Sequence, residues 1–156
     1  MKLLDAQMDL LESALDEKDP RGAMVAPYKD DIVFALPNIY MGYFIPKDKL
    51  KVECKELGRM PFNLKDLDIV EESNRLVETR IEQKRGKVAL MQFVFAQDAT
   101  GPEVWLNARF LKNFKDYTLY QNPAKPKSLI LVTEGEDHTP AGIIMPYMFK
   151  NENKNN

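Results

Sequence analysis

The strongest constraint in this chain is an alternation that folds back on itself. Over residues 74–83, Val77, Thr79 and Ile81 fall on one face and Glu78, Arg80 and Glu82 on the other. Lys84-Arg85-Gly86 then turns the chain, and over residues 87–97 Ala89, Met91, Phe93 and Phe95 again share a face. A period of two is that of an extended strand, so two such runs about a glycine turn predict a β-hairpin. An isolated hairpin is marginal in water, so other strands must join it.

The rest of the sequence supplies them. Residues 23–28, 32–36, 39–45 and 50–54 are short runs of β-branched and aromatic residues, punctuated by Asp30-Asp31, Pro37-Asn38 and residues 46–49. That pattern predicts an antiparallel meander. Further strands are predicted at 104–106, 118–121, 128–133 and 141–147. Residues 56–73 lose periodicity, and read either as a connection between two halves or, at LKDLDIV, as one short helix.

Two helices complete the expected inventory. In residues 3–18, Leu4, Met8, Leu11 and Leu15 follow i, i+4, i+7, i+11 spacing, which gathers them into one stripe expected to face the core, widened by Leu3, Leu10 and Ala14. Asp5, Asp9, Glu12, Asp16 and Glu17 would point outward, and the helix should stop before Pro20 and Gly22. The second helix is predicted over 108–116, opened by Asn107 as N-cap. Its Phe110, Leu111 and Phe114 would face inward, leaving Arg109, Lys112 and Lys115 as a small basic face.

Composition narrows the function classes. The 156 residues fit one domain, and 44% hydrophobic against 29% charged residues describe a globular chain. With 22 basic and 24 acidic residues the net charge is −2, so any contact with DNA must rest on a local patch. Cys54, the single cysteine, has no partner for an internal bridge and reads as a small core residue in a strand. No Cys/His spacing suggests a zinc site, and no phosphate-cradling glycine loop or metalloprotease motif occurs, so neither metal nor cofactor is expected. No apolar run approaches the roughly 18 residues of a membrane span, and a reducing cytoplasm is the expected compartment. The polar tail at 150–156 is expected to be disordered.

Few residues stand out as chemistry. His138, the sole histidine, lies in EGEDHTP and reads as an exposed turn residue; a small hydrolase using it with an acid has no constellation behind it. An enzyme is therefore disfavoured. Met145 and Met148, beside Pro146, Tyr147 and Phe149, read either as core filler or as an adaptable peptide-binding surface.

From Val104 to Met148 the chain resembles a known family. VWLNARFLKNF, then YTLYQ, KPKSLILV and AGIIMPYM, looks like the closing half-domain of bacterial DNA polymerase III sliding clamps, the β subunit. The matching positions are Asn107, Phe110, Leu111, Pro126 and Met145-Pro146, and the Asp19–Arg21 run after a first helix resembles a clamp opening. The resemblance implies an α+β fold over residues 1–149, with two helices packed on an antiparallel sheet in a single clamp-like domain of two pseudo-symmetric halves. It implies a non-enzymatic processivity factor that self-associates, about six copies closing a ring. Arg109, Lys112 and Lys115 would then meet the phosphates of duplex DNA non-specifically. Met145, Pro146, Tyr147 and Met148 would bind short peptides of DNA polymerase or other replication proteins, with Tyr147 where the family has a second Met. The acidic first helix opposes phosphate, which keeps open the alternative of a monomeric or dimeric protein-binding adaptor that does not contact DNA.

Overall fold

The computed structural model describes residues 1–19 and 21–149; the predicted tail and the Pro20 stop lie outside them. A single α-helix, α1 (Leu3–Leu15), precedes β1 (Met24–Lys29), β2 (Ile32–Asn38), β3 (Met41–Pro46) and the short β4 (Lys55–Glu56). The hairpin strands β5 (Arg75–Arg85) and β6 (Val88–Phe95) follow, then β7 (Val104–Asn107), β8 (Tyr117–Tyr120), β9 (Ile130–Glu134) and β10 (Thr139–Ile144). All ten strands join one sheet in the order β4-β1-β2-β3-β10-β9-β8-β5-β6-β7. Every pairing is antiparallel except β1 with β4.

This corrects the expected α+β class with two helices on an antiparallel sheet: the fold is a ten-stranded mixed sheet carrying one α-helix among the described residues. The second predicted helix shrinks to a 3₁₀ turn, Ala108–Leu111. Asn107 does cap it, its side chain accepting from the Arg109 amide at 3.1 Å. Beyond Leu111, however, the backbone groups that would extend a helix serve distant partners. The Asn113 carbonyl accepts from the Lys2 amide at 2.8 Å, the Lys115 amide donates to Glu134 Oε2 at 2.6 Å, and Asp116 takes a left-handed φ of 44°. A helix needs those groups for its own ladder.

Helix α1 starts where expected but ends at Leu15 rather than at residue 18, and it is turned about its axis. Ala6 and Leu10 are its buried residues, while Leu4, Met8, Leu11 and Leu15, the predicted core stripe, are exposed. The reason is Asp9, which points inward: its Oδ2 accepts from Tyr43 Oη and from Asn113 Nδ2, both at 2.9 Å, and Asn113 also donates to Tyr43 Oη at 3.0 Å. Three polar groups satisfying one another beneath the helix fix which side faces the sheet.

Other strand boundaries moved for local reasons. Pro37-Asn38 end β2 and the turn is Ile39-Tyr40, because Asn38 Oδ1 accepts from the Tyr40 and Met41 amides at 2.8 and 3.1 Å. No strand forms at 50–54, so Cys54 lies outside any strand, half-buried against the core. Within the hairpin, four steps from Glu78 to Glu82 oppose two from Phe93 to Met91, with Arg80 at φ 68°. This bulge carries Ile81 out to solvent.

Both faces of the sheet are covered. One layer gathers Ala35, Tyr43 and Ile45 from one wing with Phe93, Phe95 and Leu106 from the other, so the sheet curls around a shared core under α1. The second layer centres on Phe34, Phe44, Leu131 and Ile143 and is roofed by Leu67 and Ile69, with Leu57, Met60 and Phe62 against it. The aperiodic 56–73 segment is thus a cover, and its LKDL portion forms a 3₁₀ turn capped by Asn63.

Two predictions follow from the centre of the sheet. At the β3–β10 junction, a Cβ on Gly142 would stand 2.6 Å from the Gly42 carbonyl oxygen and 2.5 Å from Phe114 Cζ. Gly142→Ala is therefore expected to cost about 1–3 kcal/mol in urea unfolding, by overpacking. Burial holds the Tyr43 hydroxyl's pKa well above the ordinary tyrosine range. The folded state then binds this proton more tightly than the unfolded chain, so the contribution is whole below about pH 10 and declines as pH rises further. Urea midpoints should fall more steeply above that pH in the native protein than in Tyr43→Phe; Tyr117 and Tyr120, shifted the same way, are common to both curves.

Candidate functional site

The end of β10 builds a groove from pieces far apart in sequence. After Ile144 the chain leaves the sheet, and the Met145 amide donates to the Tyr40 carbonyl at the β2–β3 turn, 2.7 Å away. Two residues later the Tyr147 amide donates to the Trp105 carbonyl of β7, also at 2.7 Å. These tethers draw the hairpin tip and the far edge strand together. Between them lies a cavity of about 560 Å³, walled by Ile39, Tyr40, Phe110, Met145, Pro146 and Tyr147.

Every member of the predicted peptide-binding set reaches this groove. Pro146 is buried, Met145 and Tyr147 are half-buried, and Met148 is exposed at the mouth. Phe149 braces the segment from outside, its ring 5.9 Å from Trp105 and 5.1 Å from Tyr147, with the Arg85 guanidinium 4.9 Å over its face. Sequence reasoning missed Ile39, Tyr40, Val88 and Phe110 as wall residues. The available signal was an apolar pair, Ile39-Tyr40, at a hairpin tip where polar residues are usual. The polar lining, Lys127 and Asn107, gives the otherwise apolar groove one cation and one amide.

The predicted DNA-contacting residues are exposed but no longer share a helix face. Lys112 Nζ lies 3.2 Å from Asp9 Oδ1, and Arg109 borders a cleft with Asp9, Glu12, Asp16 and Asp19. Lys115 sits on the segment that Glu134 holds through its backbone amide. Acids on the α1 side stand beside two of these cations, Arg109 and Lys112, which weakens the local field toward phosphate.

His138 is only half exposed, at φ 51° in the β9–β10 loop. Its Nδ1 lies 3.2 Å from Tyr120 Oη, beside the Arg75–Glu72 ion pair, in a polar cavity of about 580 Å³. The Arg75 hydrogen bond holds the Glu72 carboxyl below the usual range, while burial raises the Tyr120 hydroxyl. These are settled charges and a protonated phenol, suited to polar recognition. Among the described residues, no group of His, Cys, Asp and Glu side chains is arranged to hold a metal ion, and no helix is long and apolar enough to cross a membrane.

Compared with family models, curated proteins and solved structures, the chain matches none. The clamp resemblance therefore gains no support from these comparisons.

Burial raises the Cys54 thiol pKa, and its Sγ faces the Val52 carbonyl at 3.5 Å. Less thiolate at a given pH means slower chemistry. Alkylation at pH 8 should proceed more slowly in the folded protein than in urea, a difference that thiol titration would read directly.

Proposed function

We propose that this chain is a non-enzymatic protein-binding module that captures a short extended peptide in the groove of Ile39, Tyr40, Phe110, Met145, Pro146 and Tyr147. The observation that carries the reading is the groove itself: an open, mainly apolar concavity with walls fixed by backbone hydrogen bonds, so little ordering is needed on binding. Met145 and Met148 supply adaptable contact, Tyr40 and Tyr147 rigid aromatic area, and Lys127 a partner for a carboxylate. The favoured ligand is a peptide with two neighbouring bulky apolar side chains and an acidic residue flanking them.

A second reading adds duplex DNA and self-association in a sliding-clamp-like assembly. It is supported by the exposure of Arg109, Lys112 and Lys115, and opposed by the acids of α1 around two of them. The two readings share the groove and differ in everything else. A chain that sediments as a monomer and ignores circular DNA at low salt fits the adaptor; a ring-sized oligomer with a salt slope abolished by charge reversal of the three cations fits the clamp.

The groove is tested by fluorescence anisotropy with a labelled Leu-Phe peptide carrying a flanking aspartate. Met145→Ala and Tyr40→Ala should each weaken binding about tenfold. Tyr40 is exposed, so its variant should keep the native melting temperature and separate lost contact from lost folding. Equal affinity in both variants would remove the groove from the account.

A further inference from the structure

The rotation of α1 leaves an apolar seam in water. Leu4 is 74% and Leu15 71% exposed, with Met8 and Leu11 between them also on the surface. Their 4-3-4 spacing is that of alternate d and a positions, the seam one helix offers another. A large apolar stripe on a surface otherwise rich in charge is the usual mark of an interaction site.

The surroundings identify the chemistry of the occupant. Asp5 and Glu12 of α1 and Asp16 and Glu17 just past its end are exposed, four acids against two exposed lysines, Lys2 and Lys18, at the two ends of the segment. A second copy would bring the same excess of acid along the seam, with lysines only at its two ends. We propose that α1 docks a helix of another protein, one whose apolar seam is flanked by lysine and arginine. Leu4, Met8, Leu11 and Leu15 supply the packing, and the acids supply selection for the basic flanks and against acidic helices. This surface lies on a different element from the groove and does not depend on the groove's occupancy.

A designed, labelled peptide of about three heptads, leucine at a and d and lysine at e and g, provides the probe, used below its own self-association concentration. The control keeps the leucine seam and carries glutamate at e and g. The native protein should bind the lysine peptide with an affinity that falls as salt rises, and bind the glutamate peptide at least tenfold more weakly. The double variant Leu4→Gln/Leu15→Gln should lose at least tenfold for the lysine peptide with an unchanged melting temperature, since neither side chain is in the core. Tyr40→Ala should bind it as the native protein does. The proposal is overturned if the double variant binds equally, if the two peptides bind alike, if Tyr40→Ala abolishes binding, or if sedimentation shows a native dimer that the double variant dissociates.

Discussion

The arrangement of this molecule depends on where one carboxylate goes. Asp9 sits on an otherwise acidic, water-facing helix, yet its Oδ2 is held under α1 by Tyr43 of β3 and Asn113 of the segment after the 3₁₀ turn. Polar groups withdrawn from water are costly to leave unmatched, so the three residues must be satisfied together or not at all. Their union selects the face of α1 that meets the sheet and turns Leu4, Met8, Leu11 and Leu15 outward.

The same curling that places Asn113 beneath α1 also shapes the groove. The strand order puts β3 and β10 at the middle of the sheet and β7 at one edge, yet the chain leaving β10 bonds both to the β2–β3 turn and to β7. A flat sheet would keep those elements apart; twist brings them round a common core. Close backbone approach at Gly42 and Gly142 lets Phe34 and Phe114 pack over the central strands from opposite layers. Two candidate surfaces emerge, an apolar groove with one cation and an apolar helix with an acidic rim, each suited to a different kind of partner.

Local chemistry was legible in the sequence wherever neighbours along the chain decide the outcome. The β5–β6 hairpin and the capping of the turn by Asn107 can be read from residue type and spacing; for Met145, Pro146, Tyr147 and Met148 residue type left core filler and exposed surface both open, and only the resemblance pointed to a shared pocket. What could not be read was set at long range. Residues 3–15 carry two apolar faces, Leu3-Ala6-Leu10 and Leu4-Met8-Leu11-Leu15, and the larger is the wrong choice because Tyr43 and Asn113, 34 and 104 residues away, bind the acid beside the smaller. The second helix had a sound start signal but lost its continuation to Lys2 and Glu134, contacts that periodicity does not encode. Ile39 and Tyr40 escaped notice because Pro37-Asn38 is itself a good turn signal, and only the hydrogen bonds of Asn38 move the reversal two residues on.

The orientation of α1 is the premise from which the exposed apolar seam descends, and it is open to direct chemical reading. Single cysteines placed at Leu4, Ala6, Leu10 and Leu15, in a chain with Cys54→Ala, are mixed with a thiol-specific reagent under native conditions. The account predicts rapid labelling at positions 4 and 15 and protection at 6 and 10. Protection at 4 and 15 with labelling at 6 and 10 would mean that the leucine stripe faces the core after all, and would contradict it.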